Sequence, residues 1–180
     1  MKRISALVAV AVVLIGAADA AIAGSVNAII NGRSHHVGAS NDWNENNIGL
    51  GVEYQFDSAT RWKASAMANG FRDSNDQMSY MAGGSVHRRL IDSQRFGGFY
   101  LDAGITAFLM TREDVNDNRP FPGILPSVAI GNRYAGFNLA YMPEAGVRAM
   151  TNAQFEDPTL KGILYLQLKF SLDRLLPSFD

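Results

Sequence analysis

Apolar and polar residues alternate along most of this chain, and the helical period is missing. The clearest stretch is "NIGLGVEYQF" (47–56). Ile48, Leu50, Val52, Tyr54 and Phe56 fall on one face, and Asn47, Gly49, Gly51, Glu53 and Gln55 on the other. In a water-soluble sandwich the apolar face points to the core. In a membrane barrel it points to lipid and the polar face lines the lumen. One strand does not separate the two. The pattern predicts eight strands, near 26–37, 47–56, 61–71, 78–88, 95–109, 123–131, 134–142 and 161–170, each close to the ~10 residues a tilted membrane strand needs. Their connections alternate in length. "DSAT" (57–60), "LIDSQ" (90–94) and "GNRY" (131–134) are short, while 38–46, 72–77, 110–122 and 143–160 are longer or more polar. Short turns at one end and long loops at the other predict an all-β fold: an eight-stranded antiparallel transmembrane β-barrel of the outer membrane.

The aromatics agree. Tyr54, Phe56, Trp62, Phe96, Tyr134 and Phe170 all fall near the short-turn end, as an interfacial girdle would. A barrel of this size has an interior that side chains fill or that holds one small ligand, so an open pore is not expected. The first residues, "MKRISALVAVAVVLIGAADAAIA", carry Lys2 and Arg3, an apolar core and then small residues. They predict a secretory signal peptide over 1–23, with a signal anchor as the competing reading. The barrel follows over 24–170, with a tail over 171–180.

Composition narrows the chemistry. A net charge of −1 gives no reason to expect a nucleic-acid partner. Without cysteine there is no disulfide, no thiolate-bound zinc and no thiol nucleophile, and His35, His36 and His87 are the three histidines. Candidate chemistry gathers at one end. Strand one ends at "RSHH" and strand three at "GFRDSND" (70–76), both on the side of the long loops. His36, Asp73 and Ser74 therefore converge on the outer rim. The imidazole can take a proton from a hydroxyl, the carboxylate can orient the imidazole, and the hydroxyl can attack or bind an acyl carbonyl. Turn chemistry at a polar rim is the plainer reading of the same residues.

Further residues in order tie these together: Asn44-Glu45 followed by Gly49 and Gly51, then Phe71-Arg72-Asp73-Ser74, "PFPGILP" with Pro120, Pro122, Leu125 and Pro126, and "YMP" with Tyr141 and Pro143. In this order, over about residues 30–170, the chain resembles the lipid A palmitoyltransferases of Gram-negative outer membranes, the PagP family. The resemblance implies transfer of a fatty acyl chain, palmitoyl or shorter, from a membrane phospholipid to lipid A, with no cofactor and a monomeric barrel. It implies His36 as general base, Asp73 as its orienter or a polar contact, and Ser74 as the hydroxyl partner, at a rim facing the cell exterior. Proline cannot donate to a sheet ladder, so Pro126 and Pro143 are expected to open a side gate between strands six and seven. The family's acyl chain stops at a deep glycine, and counting from Asp73-Ser74 puts Ser85 there, with Gly83 or Gly84 as the alternative floor. Three features depart from the family. Strand one is expected to start almost at the cleavage site, where the family typically has an amphipathic helix, Asn31 and Asn47 stand where prolines flank strands one and two, and His35 replaces a tryptophan. Two rivals stay open: a non-enzymatic small barrel, and a lipid A deacylase, whose His-x-Ser order is reversed here in "SHH".

Overall fold

The computed structural model describes residues 23–150 and 157–175. The expected leader, apart from Ala23, lies outside the described residues. Eight strands form: β1 (Gly24–Val37), β2 (Asn46–Phe56), β3 (Trp62–Arg72), β4 (Met78–Ser93), β5 (Phe99–Thr111), β6 (Phe121–Gly131), β7 (Ala135–Pro143) and β8 (Gly162–Ser171). Each pairs antiparallel with its chain neighbours, and β8 closes on β1, so the sheet is a barrel without edges. A short helix α1 (Glu144–Met150) follows β7, and a single turn α2 (Leu172–Leu175) follows β8.

The apolar faces point outward. Ile48 is 71% exposed and Leu50 72%, and Ile105, Leu109, Ile124, Phe137 and Leu139 belong to the same outer surface. An apolar band of this extent has no place in water and fits lipid. Among the described residues no helix is long and apolar enough to cross a membrane. Trp62, Phe96 and Tyr134 are exposed at the short-turn end, where the girdle is expected.

The interior has two zones. Toward the long loops it is apolar, a cluster of Ile29, Met67, Phe71, Met81, Phe108, Met110 and Phe121. Toward the short turns it is polar and paired. Lys169 Nζ meets Glu53 at 3.0 Å, and Asn27 and Ser65 also donate to Glu53. Arg89 grips Asp102 through two bonds of 2.8 and 3.0 Å and lies over the Tyr100 ring.

Two bulges set which side chains face in. On β1, Asn27, Ile29 and Asn31 are buried, the register then shifts between Asn31 and Arg33, and Ser34 and His36 are buried beyond it. On β4 a shift between Arg89 and Ile91 puts both Leu90 and Ile91 on the outer face. This corrects the expected turn at 90–94. Asp92 and Ser93 read as turn residues, but the bulge carries the strand through both of them, and the chain reverses over 94–98. There Arg95–Gly97 form a 3₁₀ turn, and Phe96 and Gly98 take positive φ. Residues 95–98 are accordingly turn and not the start of strand five.

The shortest of the eight ladders is the one between β6 and β7. β1 and β2 pair from Gly24↔Phe56 up to Arg33↔Asn46. β6 and β7 pair only from Gly131↔Gly136 to Ser127↔Ala140, although both strands run on toward the loops. Pro126 stands at the first unpaired position of β6, and Pro143 ends β7 opposite Gly162 of β8. At the other end the start of the tail has a structural use: Asp173 of α2 accepts the Val26 N–H at 2.7 Å. The rest of the tail, 176–180, lies outside the described residues.

Candidate active site

The β1 bulge delivers His36, and the turn after β3 delivers Ser74. His36 Nε2 lies 3.0 Å from Ser74 Oγ, hydrogen-bond distance for a hydroxyl donating to an unprotonated ring nitrogen. The imidazole is buried and stacks on Trp43 at 5.8 Å between centroids and 23° between planes. A tryptophan from the following loop thus stands beside this histidine, while His35 occupies the strand position next to it and projects outward, 65% exposed.

Asp73 is brought to the same rim but faces its own turn. Its Oδ1 accepts the N–H groups of Asn75 and Gln77 at 2.9 and 3.1 Å, and its Oδ2 accepts Ser79 Oγ–H at 2.8 Å, with Arg112 Nε at 3.7 Å. Asp73 makes no hydrogen bond to His36 among the described residues. The carboxylate nearest the ring is that of Glu45. Glu45 Oε1 accepts the His36 backbone N–H at 2.9 Å, lies 3.0 Å from His35 Nδ1 and lies 3.7 Å from His36 Nδ1. The backbone bond from His36, chiefly, holds the Glu45 carboxyl below its ordinary range, with partial burial working against it. Its neighbour Asn44 ties the loops together: its N–H donates to the Ser74 carbonyl and its Nδ2 to the Asp73 carbonyl, both at 3.0 Å.

Beneath this pair a cavity of about 120 Å³ descends the barrel, lined by Ser74 and Arg112 toward the loops and by Met67, Phe71, Met81, Phe108 and Leu125 along its walls. Its lower boundary is polar. Ser85 Oγ lies 2.8 Å from Ser65 Oγ, Ser127 Oγ lies 2.9 Å from Thr106 Oγ1, and His87 Nε2 lies 2.8 Å from Ser127 Oγ. Ser85 lines this cavity; Gly83 and Gly84 do not. Among the described residues no cluster of His, Asp and Glu could hold a metal ion.

The comparisons with known proteins follow the same lines. The family model described as "Antimicrobial peptide resistance and lipid A acylation protein PagP" matches residues 25–154, most of the chain. The chain belongs to the PagP family. It is accordingly an outer-membrane barrel. It is similar to several proteins named "Lipid A acyltransferase PagP". The likeness to that of Methylobacillus flagellatus is 30% identity over 96 residues, 53% of this chain and 50% of the relative. For Laribacter hongkongensis it is 34% over 105 residues, 57% of this chain and 48% of the relative. For Bordetella pertussis it is 34% over 97 residues, 53% and 50%. The chain spans about half the length of the curated relatives it matches.

Asp73, Ser74 and His36 were legible as a rim cluster. Glu45 and Trp43 were missed as partners of the imidazole. Asn44-Glu45 stands out in the sequence, but nothing in a loop of that length shows which side chain turns back onto the strand.

Proposed function

We propose that this protein is a lipid A acyltransferase that moves a fatty acyl chain, palmitoyl or shorter, from a membrane phospholipid to a hydroxyl of lipid A. The observation that carries this is the 3.0 Å contact between His36 Nε2 and Ser74 Oγ at the mouth of an apolar cavity. The acyl chain lies in the cavity and its ester carbonyl meets the pair. His36 takes the proton from the attacking hydroxyl as the new C–O bond forms, and returns it to the departing glycerol oxygen as the old one breaks. One ester is exchanged for another, and the chemistry calls for no cofactor. Asp73 shapes the turn that presents Ser74. Ser85 and its hydroxyl neighbours end the cavity and set the chain length. The open seam beside Pro126 and Pro143 admits the lipid sideways from the membrane, and the rim faces the cell exterior. The protein works as a monomer.

The test is mass spectrometry of lipid A from cells with and without the protein. A gain of one acyl group is expected with wild type and is lost in His36→Ala and Ser74→Ala, each falling at least ~100-fold in rate, while both variants still fold and insert. His35→Ala keeps most of the activity. Wild-type rates in both His36→Ala and Ser74→Ala would sink the assignment and favour a non-enzymatic barrel. Loss of an acyl group from lipid A would instead identify a deacylase.

A further inference from the structure

His36 Nδ1 is buried and has no hydrogen-bond partner among the described residues. A ring that accepts a proton at Nε2 must carry one at Nδ1 throughout, and it becomes a cation when the second proton arrives. A buried imidazolium without an acceptor at Nδ1 is costly. The acidic and basic groups around the ring are Glu45, His35, Arg112 and, beyond Arg112, Asp73. Arg112 and a protonated His35 oppose a positive ring. Asp73 has given its oxygens to its own turn and to Ser79. Among the described residues only Glu45 presents a negative charge to Nδ1, at 3.7 Å, a long contact of the kind that closes when substrate binds.

Resting on the acyl-transfer reading above, we infer that the dipeptide Asn44-Glu45 is the positioning element of this site: Glu45 orients the His36 ring and balances its charge, and Asn44 fixes the turn that carries Ser74. One short loop thereby locks both members of the His–Ser pair. Asn44 reaches the carbonyls of Asp73 and Ser74, one in each peptide link of Ser74, and Glu45 reaches the backbone and ring of His36. Asp73 is thereby relieved of the orienting role and left to build the turn.

Glu45→Gln separates charge from shape, because glutamine keeps an oxygen for the His36 N–H but presents no anion to Nδ1. Wild type, Glu45→Gln and His36→Ala are purified as folded barrels and assayed with phospholipid donor in mixed micelles. The expected result for Glu45→Gln is a fall in kcat of about 10–100-fold, KM unchanged within about twofold, and an acidic limb of kcat against pH moved to lower pH. Nitrogen-15 NMR of the His36 ring reads the same change without turnover, as a lower titration midpoint in the variant. Glu45→Gln equal to wild type in kcat and in ring titration, with His36→Ala inactive, would overturn the inference alone and reduce Glu45 to a loop fastener. Full activity in His36→Ala would overturn both it and the reading on which it rests.

Discussion

At the scale of single residues, the site depends on where polar atoms stop and hydrocarbon begins. Ser85 marks that line. It faces Met67, Met81 and Phe108 from below and bonds Ser65 from the side. A close-packed interior does not absorb even a methylene without strain. Ser85→Gly deletes a CH₂OH group at the floor, and the donor preference should move to longer saturated chains. Assaying wild type and variant across a ladder of acyl lengths checks this, and an unchanged profile would remove Ser85 from the floor. Counting along one strand points to Ser85, and that residue lines the cavity. Its company was not legible, because Ser65, Thr106 and Ser127 come from three other strands and meet it only through the barrel's register. Glu45 was hidden for a related reason. A strand's period fixes where its side chains point, whereas a loop has no period.

At the scale of elements, alternation located all eight strands, and the misplaced turn fell where alternation breaks, at the β4 bulge. The seam between β6 and β7 follows from chemistry visible in the sequence, since Pro126 has no N–H for the ladder. If lipid enters there, closing the seam should stop transfer. Extending the β6–β7 register beyond Ser127↔Ala140 sets Leu125 beside Met142. The chain has no cysteine of its own, so Leu125→Cys with Met142→Cys gives a clean cross-link. Oxidation should abolish transfer from vesicle phospholipid, and a reductant should restore it. Full activity in the oxidised form would place entry elsewhere. A second device lies in the loops. Buried Asp157 accepts the N–H groups of Ser40 and Asn41 and bonds from the Ser40 and Thr159 hydroxyls, clasping the loop after β1 to the approach to β8. Burial alone would raise its carboxyl, but these bonds more than offset that and hold it far below the ordinary carboxylate range. Its contribution is therefore fully present above the unfolded value, about 3.9, and drains away as pH falls toward the folded one. Hydrogen exchange in residues 38–45 should be slower in wild type than in Asp157→Asn at pH 7, and the gap should shrink below about pH 4. A gap as wide at pH 2 as at pH 7 would refute the clasp.

At the scale of the whole molecule, the barrel divides its interior between work and stability. The half near the loops keeps an apolar cavity, and the half near the short turns is crossed by ion pairs. Removing one partner of a buried pair leaves the other charge stranded, at a cost of about 3–5 kcal/mol. Lys169→Met should therefore lower unfolding stability by roughly that much, and adding Glu53→Gln should recover most of it. Guanidinium unfolding in detergent checks both, and a single variant as stable as wild type would show that the pair carries no weight. This plug was not legible beforehand. Glu53 reads as a position on the polar face of its strand, but sequence alone does not say which charge meets it across a barrel. The β1 bulge, by contrast, bears on how the active site survives change. Two residues, Gly32 and Arg33, lie between the inward Asn31 and the inward Ser34, where strict alternation has room for one. The facing of His36 is thus a matter of odd and even. Losing Gly32 would straighten the strand and still leave His36 inside, whereas smoothing the bulge with both residues kept would turn His35 inward in its place. Two adjacent histidines at this point make the chain's parity, and not the identity of either residue, the thing that selects its base.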